Sequence, residues 1–289
     1  MAETLLTAAT RHRVVITPPR RWESVNVREL WRYRELLLSL IARDVKVRYK
    51  QTVLGVAWAI LQPAMMMGVF TIFFARMAGI NTDPIPYPLF SLSGLLPWFF
   101  FSGAVSSASM SVLGSERLIT KVYFPRLAVP FAAIGAAAVD FFVACSLLAV
   151  ACVGYALFAA VPFTFGVNLL VLPLVTAIVA LLAAGIGTWL AALNVTYRDF
   201  RYIVPFLLQL GLFATPTIYL QPAGHEGQTI QWLLVLNPMA SLVSGFRAGV
   251  VGGDVPWAGI AAAAGMAAVV FVVGCLYFRK VEDQFADII

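Results

Sequence analysis

Six stretches of the chain carry almost nothing polar, and each is long enough to cross a bilayer. They run roughly Val53–Phe74, Leu89–Leu113, Leu127–Leu157, Leu169–Leu193, Ile203–Leu220 and Trp257–Phe278. A spanning helix needs ~20 mostly apolar residues, so the pattern predicts six transmembrane helices. The third stretch is long enough to tilt or to extend beyond the bilayer. The fifth is short, with Pro205 near its start and Pro216 near its end.

Before the first stretch the pattern changes. Leu30, Tyr33, Leu37, Leu40 and Ile41 recur at helical spacing, with Arg28, Glu29, Arg32 and Glu35 off most of that stripe. Asn26 is a suitable cap with Glu29 three residues on. An amphipathic helix is expected, lying in the bilayer surface or packed on a partner. Trp31, Tyr33 and the arginines suit the headgroup layer. Residues 1–20 lack a pattern and include Pro18-Pro19, so a loose tail is expected. Val45, Val47 and Tyr49 alternate with Lys46, Arg48 and Lys50. That alternation is locally strand-like, but the flanking helical patterns make it part of a helix leading to the first span.

Between spans five and six, Thr229–Trp257 is apolar but broken. Gln231–Leu236 is too short to cross, and Asn237-Pro238 interrupts it because a residue before proline avoids helical geometry. A second short piece, Met239–Val251, holds Arg247 and ends at Gly252-Gly253. Two short helices that enter and leave one face fit this pattern. Broken backbone at membrane depth is tolerated only against protein or beside water. The segment is therefore a pore cap, or else a hairpin lying flat on the membrane.

Composition agrees with a membrane fold. Of 289 residues, 61% are hydrophobic and 12% charged, against about 45–50% and about 25% in soluble domains. The net charge of +6 would suggest nucleic acid in a soluble protein; here the bases mark sidedness. Of the 20 Lys and Arg, all but Arg76 and Arg247 precede the first span, follow spans two and four, or follow the last. By the positive-inside rule both termini are cytoplasmic. No cleavable apolar leader is expected in the polar, basic first 50 residues. Cys145, Cys152 and Cys275 lie in apolar runs and read as small buried hydrophobes. The expected division is a tail and interface helix (1–52), a six-span domain (53–280) and a C-terminal tail (281–289).

Catalytic chemistry is sparse. No G-x-x-x-x-G-K-[ST] loop occurs, so this chain is not expected to cradle ATP phosphates in that way. The two histidines, His12 and His225, belong to no cluster with metal-ligand spacing. No metal or cofactor is expected on the chain. Within the spans, Asp140 is the exceptional ionisable group. An intramembrane carboxylate is costly and marks function by default. It can bind a proton or cation, accept a hydrogen bond from a neighbouring helix, or face an aqueous path.

Several runs, in order, resemble the type-2 ABC exporter permeases that move polysaccharides such as O-antigen, teichoic acid and capsule. They are RYKQTVLGVAWAILQP (Arg48–Pro63), GLLPWFFFS (Gly94–Ser102), ERLITKVYFPR (Glu116–Arg126), NVTYRDF (Asn194–Phe200) and LNP (Leu236–Pro238). The resemblance covers about residues 28–280. It implies an all-helical permease that pairs with a second copy around a channel. Each copy would dock a separate ATPase that carries ATP and Mg. The substrate would be a lipid-linked polysaccharide, and the site a bacterial inner (plasma) membrane.

The resemblance also assigns residues. Glu116, Arg117, Leu118, Ile119, Lys121 and Tyr123 would couple to the ATPase, with Phe124 adding to the apolar surface. Tyr197, Arg198 and Asp199 would make a second cytoplasmic contact. Arg48 and Lys50 would border the pore entrance, and Asn237, Pro238 and Arg247 the outer gate. Aromatic faces suit sugar rings. Trp58, Trp98, Phe99, Phe100, Phe101 and Tyr219 are therefore candidate lining beside Asp140, with lipid or core packing as the alternative for each. The competing functions are export of drugs or other lipids by the same kind of machine, secondary transport through Asp140, and a membrane enzyme using scattered carboxylates.

Overall fold

The computed structural model describes residues 31–50, 52–80, 82–121, 124–158, 167–219, 236–282 and 285. The tail, the cap at Asn26, Tyr123 and the first arm of the outer hairpin (229–235) lie outside these residues. Among the described residues every regular element is helical. We number them α1 (Arg34–Tyr49), α2 (Ala57–Phe70), α3 (Tyr87–Gly114), α4 (Glu116–Lys121), α5 (Ala128–Phe158), α6 (Val171–Thr196), α7 (Phe200–Ala214), α8 (Pro238–Val251) and α9 (Trp257–Val281). A π-helical turn, Thr71–Met77, extends α2, and a 3-10 turn, Val167–Leu170, leads into α6.

Five of these segments are long and apolar enough to cross a membrane: Ala57–Met77, Tyr87–Gly114, Ala128–Phe158, Asn168–Thr196 and Trp257–Val281. Their limits fall within a few residues of the hydropathy stretches. The fifth expected span differs. Its helix, α7, has 15 residues, which is ~22 Å at 1.5 Å per residue against ~30 Å of hydrocarbon. It stops at Ala214, just before Pro216. The chain then runs irregularly through 215–219, where Thr215, Thr217 and Ile218 are buried.

The central helix is α3. It packs on both α5 and α6, and α6 packs along α9. Close approach is possible because the facing residues are small. A Cβ at Gly187 would stand 2.7 Å from the Cβ of Ala108, and one at Gly274 would stand 2.2 Å from the Gly185 carbonyl oxygen. Serine hydroxyls on α3 donate back to carbonyls three residues earlier, at Pro88, Phe90, Ser106 and Ala108. Polar groups in a bilayer must be satisfied internally in this way.

The expected apolar stripe of the N-terminal helix faces protein. Leu40 is buried, and Tyr33, Leu37 and Ile41 join the same cluster. Ile41 fits against Gly135, where a Cβ would meet its side chain at 2.6 Å, so α1 lies along α5. Trp31, Leu38 and Val47 stay exposed. After α9, Arg126 donates to the Glu282 carbonyl, and Phe285 is buried edge-on against Phe278 at 5.2 Å. Glu282 and Phe285 thus contact the bundle. The three cysteines are free thiols; Cys152 and Cys275 are buried.

Candidate functional site

The last turn of α1 delivers two polar side chains to the middle of α5. Arg48 forms an ion pair with Asp140, and the Tyr49 hydroxyl donates to the other carboxylate oxygen. Arg48 Nη2 also reaches Ser107 Oγ on α3, at 3.3 Å. The Ile41–Gly135 contact sets this register: α1 lies close enough that the residues one to two turns on meet Asp140. Burial raises the Tyr49 pKa and the Arg48 charge pulls it down, so the phenol stays protonated near neutrality and acts as a donor.

Asp140 is less deep than its place in the helix suggests. From Phe141 to Phe158, α5 alone is ~27 Å long, nearly the ~30 Å hydrocarbon thickness. The carboxylate therefore lies near one edge of the hydrocarbon when those residues span it. The expected solitary acid is instead a paired group.

A cavity of about 390 Å³ opens beside this pair, lined by Arg48, Tyr49, Trp58, Gln62, Phe99 and Asp140 among others. Of the candidate aromatics, Trp58, Phe99 and Phe100 reach it. Trp98 does not: it is buried against Phe101, with ring centroids 5.5 Å apart, and it abuts Gly211 of α7. Phe101 is likewise core. Phe100 pairs with Phe141 at 5.0 Å. These two rings also form one wall of an apolar groove of about 740 Å³ between α5, α6 and α8. Tyr219 is half-buried and donates to the Phe213 carbonyl at 3.2 Å, so it belongs to the break after α7. Lys50 is exposed. On its other side, Arg48 borders a second cavity of about 360 Å³ that includes Arg43, Asp44, Ser107, Ser111 and Ser115.

Of the residues expected at an outer gate, Asn237 and Arg247 both bond to the break after α7. Asn237 caps α8 by accepting from the Met239 N–H at 3.0 Å, and donates to Thr215 Oγ1 at 2.9 Å. Pro238 occupies the first turn, where its missing N–H costs nothing. Arg247 Nη2 donates to the carbonyls of Pro216 (3.3 Å) and Thr217 (2.9 Å), and its guanidinium lies 3.7 Å from the Phe90 ring centroid. Tyr87 donates to the Ile218 carbonyl at 2.7 Å. The broken backbone after α7 therefore finds its partners in α3 and α8. Burial lowers the Arg247 pKa to about 10, partly offset by Tyr87; the group is still charged at neutral pH.

Glu116, Arg117 and Lys121 are exposed on α4. Ile119 and Phe124 face inward, buried with Leu40 and Leu127, and Leu118 packs beside them. The surface available to a partner is thus the charged one; the apolar residues expected to fill a partner's groove fill this protein's own core. Tyr197, Arg198 and Asp199 are exposed in the turn between α6 and α7. Just before them Asn194 is buried, donating to the Ser109 carbonyl at 2.9 Å. Asn194, Ser107, Gln62 and Tyr49 were not singled out by sequence. Asn194, Tyr49 and Gln62 lie inside quoted motifs without an assigned role, whereas Ser107 carried no local signal.

The family model described as ABC-2 type transporter matches residues 35–251. The chain is 35% identical over 223 residues to the O-antigen export system permease protein RfbA of Myxococcus xanthus, covering 77% of this chain and 82% of that protein. A protein of the same name from Klebsiella pneumoniae is 24% identical over 256 residues, 88% of this chain and 95% of that one. The polysialic acid transport protein KpsM of Escherichia coli is 24% identical over 222 residues, 74% and 81% respectively.

Proposed function

The chain belongs to the ABC-2 type transporter family, and from that premise we propose that it is the permease subunit of an ATP-driven exporter of lipid-linked polysaccharide. The observation that carries the reading is the match over residues 35–251, which runs through the Arg48 cavity, both cytoplasmic turns and α8. The relatives named above are an O-antigen permease and a polysialic acid transporter, which favours polysaccharide over drugs. The pairing of Asp140 with Arg48 argues against secondary transport through a free carboxylate.

Each part has a role in this reading. The chain sits in a bacterial inner membrane with both termini cytoplasmic. That requires a sixth crossing, which α7 (~22 Å) and the irregular 215–219 make together, since extended chain covers ~3.3 Å per residue. Arg247, Tyr87 and Asn237 hold the outer end of that crossing as a gate. Two copies enclose the channel. The outward faces of α2 and α7 support this, with Trp58, Met65 and Phe73 on one and Tyr202, Phe206 and Leu210 on the other exposed and apolar. Arg48 and Lys50 meet the anionic part of the substrate at the entrance. Trp58 and Phe99 offer ring faces to sugars, and the groove behind Phe100 and Phe141 suits a hydrocarbon tail. ATP and Mg are held by a separate ATPase, one per copy, and α4 with Tyr197–Asp199 receives its movement.

A neighbouring reading frame with G-x-x-x-x-G-K-[ST] is expected, as are glycosyltransferase genes nearby. The coupling role is tested by the triple variant E116K/R117E/K121E. These side chains are exposed, so folding and dimerisation are expected to remain intact. Reversed charge at an interface costs on- and off-rate together; co-purification of the ATPase is expected to fall by about tenfold, with export following. Undiminished ATPase binding and export would remove α4 from the coupling path.

A further inference from the structure

Arg48 lines two cavities at once. One edge of its guanidinium faces the aromatic cavity and holds Asp140; the other faces the hydroxyl-lined cavity and holds Ser107. The ion pair between them is not sealed in the core. The Arg48 side chain is 38% exposed and that of Asp140 is 23%. A half-exposed pair contributes little to stability, so a better anion can take the place of the carboxylate. Phosphate is such an anion: it presents more acceptor oxygens and matches the planar guanidinium fork. The neutral donors needed to complete its shell are already present in the hydroxyls of Tyr49 and Ser107, with Ser111 in the adjoining cavity.

We propose that Arg48, Tyr49 and Ser107 form a binding site for the phosphate or pyrophosphate group of an amphiphilic substrate. Asp140 occupies that site in the empty protein as an internal anion which the phosphate displaces. The proposal rests on the reading of Arg48 as an entrance residue and adds how the entrance is kept shut. While Asp140 holds Arg48, α1 is latched to α5 between the two cavities. An incoming phosphate takes the guanidinium and the Tyr49 hydroxyl, and the carboxylate is left to water in the 390 Å³ cavity. The latch between α1 and α5 is then released. A sugar hydroxyl carries no charge and does not compete for the guanidinium, so release depends on the charged end of the substrate. A purely structural pair would gain nothing from standing open to two cavities. Apolar residues of similar volume hold helices together as well or better.

The test uses the full chain in phosphatidylcholine nanodiscs, titrated with farnesyl pyrophosphate and with inorganic pyrophosphate. Asp140→Asn is expected to bind both roughly two- to fivefold more tightly, the range that the loss of a half-exposed competing pair converts to. Arg48→Gln is expected to weaken binding about tenfold, also when combined with Asp140→Asn. Tyr49→Phe keeps both charges and loosens only the hold on Asp140 and the bound phosphate. Ser107→Ala removes one donor and is expected to weaken binding about twofold. Arg48→Gln and Ser107→Ala decide the matter if Asp140→Asn does not fold. Equal affinity of Asp140→Asn and the wild-type chain, or unchanged affinity in both Arg48→Gln and Ser107→Ala, overturns the proposal.

A second set of nanodiscs contains phosphatidylglycerol. If that lipid abolishes the difference between Asp140→Asn and wild type, the site belongs to bulk headgroups and the substrate assignment fails. Loss of export in Arg48→Gln, with no gain of affinity in Asp140→Asn, removes the latch and leaves the entrance reading standing. Normal export in Arg48→Gln removes the entrance reading itself.

Discussion

Arg247→Ala is expected to leave little folded protein in the membrane. The Pro216 and Thr217 carbonyls are buried and take their hydrogen bonds from this guanidinium. Leaving a buried acceptor unpaired costs ~1–3 kcal/mol, and a desolvated cation–π contact such as that with Phe90 is worth ~2 kcal/mol. Alanine also relieves the cost of burying a charge, so the net loss is about 3 kcal/mol, a large part of the ~5–15 kcal/mol that holds an ordinary domain. Lysine keeps the charge and a donor but not the planar guanidinium over Phe90, so Arg247→Lys is expected to lose less. Thermal unfolding of purified variants, read by size-exclusion, checks the order wild type, lysine, alanine. Arg247→Met as stable as wild type would show that the break after α7 does not need its clamp.

The second large effect is expected at Gly274. Its Cα faces the backbone of α6, and any Cβ there would stand 2.2 Å from the Gly185 carbonyl oxygen and 3.0 Å from Thr188 Oγ1. Neither obstacle is the end of a flexible chain. Overpacking usually costs ~1–3 kcal/mol; here the helices α6 and α9 must part along their length, which puts Gly274→Leu at or above the top of that range. Gly265 is the control in the same helix. Nothing lies within 4 Å of its Cβ position, so Gly265→Ala is expected to stay within ~0.5 kcal/mol of wild type. The comparison is read as yield and unfolding midpoint from the same membranes. Equal behaviour of the two variants would contradict the close contact.

Hydropathy made most of this architecture legible, because spanning helices are long and lipid admits few alternatives. Tyr87–Gly114 and Trp257–Val281 needed nothing more than a count of apolar residues. Asn237-Pro238 marked the boundary before α8, because a residue before proline avoids helical geometry. The helix of the fifth expected span ends at Ala214, earlier than hydropathy placed it, because the polar partners of the break are remote. Whether 215–219 continues a helix depends on Arg247 and Tyr87, which come from other elements and leave no mark on the local pattern.

The site was partly legible for the same reason. Arg48 and Asp140 were each visible as unusual, but their pairing joins α1 to α5 across 92 positions, and no periodicity records that. Trp98 and Phe99 are adjacent in sequence, yet one is core and the other lines the cavity. In a helix apolar on all sides the sequence carries no moment to choose between them. Ile119 and Phe124 illustrate the converse. An apolar stripe on a cytoplasmic loop serves equally to seat the loop on its own bundle or to fill a partner's groove, and here it seats the loop.

The central claim is that this chain carries a polysaccharide across the membrane. It is tested most directly by deleting the gene and analysing surface and intracellular glycans, with the wild-type gene supplied in trans as control. The account predicts loss of one surface polymer, its accumulation inside the cell on its lipid carrier, and recovery of both on complementation. Unchanged surface glycans with no internal accumulation would contradict it.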